Sequence, residues 1–145
     1  MKPDLGPALT VEYNGYPPGM PAGDLIIWSR YQSALAGLYD KLYFNVRVGE
    51  PVLFDPDIPP EFAKMATDLS RRRIDVVAEN SQCWFLMELK WDAGIESFGQ
   101  ILAYKTLWSS DPPDSRPVKI AIVTNRADRN LIFICKVYGI ELIIV

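Results

Sequence analysis

Asp75, Glu88 and Lys90 are the residues of this chain whose types and spacing suggest chemistry. Two carboxylates held close together repel, and one pKa rises unless a cation lies between them; a lysine supplies part of that compensation and a divalent ion the rest. Oxygen donors without imidazole or thiolate favour Mg²⁺ or Mn²⁺ over zinc. An ion so held can polarise a phosphoryl oxygen and stabilise a leaving oxygen, while Lys90 orients or helps deprotonate the attacking water. The chemistry that fits is hydrolysis of a phosphodiester.

Composition narrows the choice from the other side. The 145 residues contain no histidine, which removes Ser-His-Asp and Cys-His catalysis and every His-ligated metal site. A net charge of −3 argues against a generally basic nucleic-acid coat, so contact with DNA has to be local. Cys83 and Cys135 each lie in an apolar segment and read as buried thiols of a reducing cytoplasm. No apolar run is long enough to cross a bilayer, and residues 1–24 lack the apolar stretch of a signal peptide, so a soluble, unexported, cytoplasmic protein without membrane contact is expected.

The elements that must position the three groups follow from periodicity. Residues 1–24, rich in Pro and Gly, read as an extended arm or irregular ribbon, and residues 25–145 as a single domain. Apolar positions Ile27, Tyr31, Leu35, Leu38 and Leu42 predict a long helix over 25–45, with Asp24 as its N-cap. VRVGEPVLF (46–54) predicts a strand interrupted at Gly49 to Pro51 and lying near a sheet edge, followed by a DPDIPP turn. PEFAKMATDLS predicts a short helix opened by Pro60. RRIDVVAE and CWFLMELK predict a hairpin turning at Asn80 and Ser81. DAGIESFGQILAYKTLW predicts a helix, VKIAIVTN a buried strand, RADRNLIFICKVY a helix closed by Gly139, and IELIIV a last strand. The result is an α/β fold, a mixed sheet flanked by helices in the order α-β-α-β-β-α-β-α-β.

Side chains alternate across a strand, so Trp84, Leu86, Glu88 and Lys90 share one face and Phe85, Met87 and Leu89 the other. A two-residue turn would set Asp75 opposite Leu86, on that same face and diagonal to Glu88. A longer turn can break this parity, so convergence of the three groups depends on the turn length.

Asp75, twelve intervening residues, then Glu88-Leu89-Lys90 resembles the motif of the PD-(D/E)XK nuclease superfamily. Gln100-Ile-Leu-Ala-Tyr104 resembles the Gln-x-x-x-Tyr motif of its RecB-type branch; the two side chains stack one helical turn apart. By element order the resemblance covers roughly residues 25–145. It implies a restriction-endonuclease-like fold, metal ligation by Asp75, Glu88 and the carbonyl of Leu89, the lysine role for Lys90, and substrate or site support from Gln100 and Tyr104. It implies a metal-dependent deoxyribonuclease, possessing Mg²⁺ or Mn²⁺ as cofactor and DNA as partner. Ile74 replaces the family's proline. The glutamate that many members carry on the first helix has no counterpart, that helix offering Gln32 and Asp40; Glu50 and Glu96 stand as candidates for a further acid. The chain also resembles small nuclease-like proteins of tailed phages, which would place it in host cytoplasm or virion, as a homo-oligomer or beside phage structural proteins.

A Glu-x-Lys on a strand is by itself more often a solvated ion pair than a site. Arg71, Arg72 and Arg73 read equally as an exposed strand entry or as phosphate contacts near the site. Arg126 and Arg129 are expected to open the last helix, read as solvated surface or, with Asn125, as part of a phosphate-facing rim. Trp91, directly after Lys90, either flanks the substrate or closes the sheet end. The alternative to the enzyme is a catalytically inactive nuclease-like module, a structural or nucleic-acid-binding component of a phage particle or complex, favoured by the acidic charge and the incomplete acid set.

Overall fold

A computed structural model describes the chain except residues 14, 16, 18, 35–37, 53–56 and 58 and the side chains of residues 67 and 68. Its elements are α1 (Ala22–Gln32), β1 (Lys41–Val48), α2 (Pro60–Ser70), β2 (Arg72–Glu79), β3 (Trp84–Lys90), α3 (Ile95–Ser110), β4 (Val118–Thr124), α4 (Arg129–Tyr138) and β5 (Glu141–Ile144). They form one five-stranded mixed sheet in the order β1-β2-β3-β4-β5. β1, β2 and β3 pair antiparallel, and β3, β4 and β5 pair parallel. In the antiparallel half β2 and β3 are joined by a short loop, while β1 and β2 are joined by a longer segment that includes α2. The parallel half needs crossovers, which α3 and α4 supply. Among the described residues no helix is long and apolar enough to cross a membrane.

Helices cover both faces, which explains why β3 and β4 read as continuous apolar runs. On one face Trp84, Leu86, Ile120 and Ile122 pack with Ile101, Tyr104 and Trp108 of α3 and Leu131 and Cys135 of α4. On the other, Met87, Leu89, Ala121 and Val123 pack with Ile27, Trp28 and Tyr31 of α1. α4 has the signals expected of it: Asp128 Oδ1 accepts from Leu131 N–H at the start, and Gly139, at φ 66°, closes the end.

Three expectations change. The helix expected over 25–45 stops at Gln32, and residues 41–48 are β1; α1 begins at Ala22, so Asp24 is its third residue and not its N-cap. The misreading has a physical cause: Leu42, Tyr43, Val46 and Val48 are all buried, so β1 lacks the period-two alternation that marks a strand with one wet face. Second, the strand expected over 46–54 ends at Val48, and Gly49 turns the chain at φ 75°. Positions 35–37 of the expected helix, 53–54 of the expected strand and much of the DPDIPP turn lie outside the described residues. Third, the hairpin loop has four residues, not two. Glu79 pairs with Trp84, and Asn80 organises the loop, its Oδ1 accepting from the N–H groups of Gln82 and Cys83.

β1 is an edge strand, as its flanking proline suggests, but that edge is covered. Residues of the arm bridge it, Asp4 with Arg47 and Leu9 with Leu42, and Gln32 Nε2 donates to the carbonyls of Val11 and Tyr13. The arm is thus bridged to the sheet at Asp4 and Leu9 and held to α1 at Val11 and Tyr13.

Candidate active site

Lengthening the hairpin loop by two residues shifts the register by two, which leaves the face of every side chain unchanged. Val76 pairs with Met87, so one step further Asp75 stands opposite Glu88 instead of diagonal to it. There the ladder changes character. Asp75 Oδ2 accepts the N–H of Leu89 at 3.0 Å, a side-chain carboxylate filling a position that a main-chain carbonyl would take in a regular ladder. Glu88 follows Trp84 and Leu86 on the α3 face, and Lys90 follows Glu88.

Asp75, Glu88, Leu89, Lys90, Gln100 and Tyr104 line one cleft of about 340 Å³. α3 brings the last two: it is held to the sheet by Ile101, Tyr104 and Trp108, so Gln100 reaches the cleft from an exposed position while Tyr104 reaches it from a buried one. All six residues carrying the expected chemistry are therefore brought together.

The two carboxyls do not behave as independent surface acids. Glu88 is only 6% exposed, and its Oε2 has no hydrogen-bond partner. Burial first, and the neighbouring Asp75 second, push its pKa up to about 9. Asp75 is raised too, chiefly by burial, against the opposing effects of the Leu89 N–H and of the charges of Arg73 and Lys90. Adjacent acids lacking a counter-ion tend to retain one proton between them, and the upward direction of both pKa values accords with that. The Tyr104 hydroxyl is raised by burial and by the charges of Glu88 and Asp75.

Two further elements reach the cleft. Asp24, on the first turn of α1, lines it, and burial followed by the charge of Asp75 raises its pKa. In the sequence Asp24 has only the look of a cap, because it stands just before the apolar run; the fold brings it to the cleft. Leu69 and Ser70, at the end of α2, also line the cleft. Only their place just before the arginine run signalled it.

The other candidates separate clearly. Arg72 and Arg73 line the cleft beside the carboxylates. Arg71 lines it as well, but its guanidinium is buried and donates to the carbonyls of Gly49 and Lys2, each at 2.7 Å, which ties β1 and the arm to β2. Trp91 is not among the lining residues; 43% exposed, it stands beside Gly23 at the start of α1, where an added Cβ would come within 3.3 Å of it. Glu50 pairs with the Met1 amine at 2.8 Å, and Glu96 lies against Gly94, so neither supplies an acid to the cleft. Gln32 is engaged with the arm, and Asp40 is exposed ahead of β1. Arg126 precedes α4 instead of opening it and pairs with Asp92 at 3.1 Å.

Two facing carboxylates, one with an orphaned buried oxygen, fit a hard divalent cation better than they fit an empty cleft. Among the described residues, however, no three Asp, Glu or Cys side chains gather closely enough to hold an ion unaided. The donor set is two carboxylates, to be completed by main-chain oxygen, water or substrate, as Mg²⁺ commonly is. Comparison with protein-family models, with curated proteins and with solved structures gave no match.

Proposed function

We propose that the chain is a Mg²⁺- or Mn²⁺-dependent phosphodiesterase that hydrolyses DNA, on a fold of the PD-(D/E)XK nuclease type. The observation that carries this reading is the Asp75–Glu88 pair, a half-buried and a buried carboxyl facing each other, with one Glu88 oxygen unpartnered and Lys90 in the same cleft. Asp75 and Glu88, with the main chain at Leu89, would hold the cation, which supplies charge neutralisation and polarisation of the phosphoryl group. Lys90 provides the amine that orients the attacking water, and Arg73 and Arg72 face the phosphate oxygens. The Leu89 N–H holds Asp75 in place through its 3.0 Å hydrogen bond, which fixes the angle between the two acids. Tyr104 and Gln100 close the α3 side of the cleft.

The test is cleavage of branched, single-stranded and duplex DNA with Mn²⁺, with Mg²⁺ and with chelator, against the Glu88→Ala protein. Metal-dependent cleavage that disappears in Glu88→Ala is expected; equal cleavage by the two proteins defeats the proposal.

One observation favours a second reading, a non-catalytic nuclease-like component of a phage particle or complex: the absence of a third close carboxylate among the described residues. It predicts a folded protein whose melting temperature does not respond to Mn²⁺. A rise on adding Mn²⁺ that is lost in Asp75→Ala removes this alternative.

A further inference from the structure

The mouth of the Asp75–Glu88 cleft differs in chemistry from its floor. Leu69 lines the cleft, and along α2 Phe62, Met65 and Leu69 are spaced to share one helical face. They are 54%, 60% and 60% exposed. Val52, also exposed, is tied to the same end of the helix by its N–H, which donates to Ser70 Oγ at 2.9 Å. No described side chain of α2 is buried. A helix of 11 residues is marginal in water and is ordinarily kept by packing its apolar stripe, yet this one turns the stripe outward at the lip of a polar cleft.

We infer that this stripe receives unpaired bases, so that the substrate is single-stranded DNA or the single-stranded part of a branched molecule. The inference rests on the phosphodiesterase reading and deepens it. Continuity points to the occupant: Leu69 lines the cleft beside Arg73 and Asp75, so a strand that leaves the cleft on that side runs along α2, where Met65 and Phe62 continue the exposed stripe. Charge points the same way. Duplex binding draws on many phosphate contacts with Lys and Arg, each releasing counter-ions. Here Arg71 is committed to the carbonyls of Gly49 and Lys2, leaving Arg72, Arg73 and Lys90 in the cleft against Asp24, Asp75 and Glu88, in a chain of net charge −3. Little remains to hold a duplex. Single strands are instead gripped through the faces of their bases, on which Phe, Leu and Met side chains pack once stacking is relieved.

The experiment measures anisotropy of a short labelled single strand and of its duplex in chelator, and cleavage of both with Mn²⁺. The proteins are the full chain and its Phe62→Ser/Met65→Ser/Leu69→Ser variant; all three positions are exposed, so the fold should survive. The native chain should prefer the strand by roughly tenfold or more, and the variant should lose that preference. Phe62→Trp, which keeps an aromatic face, should retain it. Equal affinity for strand and duplex, or an unchanged preference in the triple variant, overturns the inference. So does sedimentation showing a dimer that the triple variant dissolves while DNA binding persists, because the stripe would then belong to a second copy of the chain. Strand preference without cleavage of any substrate would defeat hydrolysis and leave the base-binding surface standing.

Discussion

Glu79 and Glu88 sit on neighbouring strands of one hairpin, 8% and 6% exposed, and the molecule answers them in opposite ways. At the loop end Glu79 accepts from Arg116 at 2.7 Å and from the Tyr43 hydroxyl at 3.0 Å. Arg116 is itself fixed by hydrogen bonds from its Nε and Nη2 to the Asp114 carboxylate, and by stacking 4.4 Å over the Trp84 ring. At the other end Glu88 faces not a guanidinium but a second carboxyl, Asp75. A buried acid made for stability is paired with a cation of the chain. One set against another acid lacks such a partner among the described residues, and that contrast separates a structural carboxylate from a candidate ligand.

The largest effect expected from the contrast lies at Lys90. Lys90→Ala should lower Mn²⁺-dependent cleavage by roughly 10²- to 10³-fold, the size typical for loss of one positioned acid-base or electrostatic group, with little change in melting temperature. Initial rates on single-stranded DNA together with a thermal melt decide it. A large loss of stability with activity intact would make Lys90 another structural cation, like Arg116.

Arg116→Ala should do the reverse. Removing it strands Glu79 in a buried position, at a cost of about 2–4 kcal/mol in a urea titration, and Glu79→Gln in the same background should recover part of the loss. Cleavage per folded molecule should stay within about twofold, because this network lies at the far end of the hairpin from the cleft.

Glu88→Gln carries the comparison into pH. Burial and Asp75 raise the pKa of Glu88 in the folded chain to about 9 from its ordinary 4.5, so folding takes up a proton throughout that window. The stability associated with the protonated pair is complete below the unfolded value and declines as pH rises toward 9. Without metal the native chain should therefore lose stability between pH 5 and 9, the range bracketed by those two values. Glutamine mimics the protonated acid. The variant should match the native chain near the acid end and exceed it by about 1–2 kcal/mol near pH 8, discounted because Asp75 shares the titration. Parallel stability profiles for the two proteins would refute a shared proton.

How much of this was legible depends on where the information resides. The Asp75, Glu88 and Lys90 set was readable because strand parity is robust: an error of two residues in the loop moved Asp75 from Leu86 to Glu88 without turning it to the other face. β1 was not, because Leu42, Tyr43, Val46 and Val48 bury both its faces and erase the alternation. The Arg116 clasp was hidden in a segment, SSDPPDSRP, whose composition announces only a loop, since its partners Glu79 and Trp84 come from another part of the chain. Asp24 was hidden for the same reason. Its neighbours in the cleft, Asp75 and Lys90, are more than fifty positions away, and locally it carries every mark of a helix start.

Asp24 accordingly offers the smallest effect and the finest discrimination. An acid in the first turn of a helix is favourable to the helix dipole whatever else it does, so Asp24→Asn should cost about 0.5 kcal/mol of stability on either account. The cleft adds a second expectation. With its pKa raised by burial and by Asp75, Asp24 contributes negative charge to the place a cation would occupy, and its neutral variant should bind Mn²⁺ roughly two- to fivefold more weakly in calorimetric titration. At the same time the amide relieves repulsion on Asp75 and Glu88, so the metal-free protein should hold their shared proton slightly less tightly. A change in stability with unchanged Mn²⁺ affinity would return Asp24 to the helix alone and leave the two facing carboxyls as the whole of the acidic site.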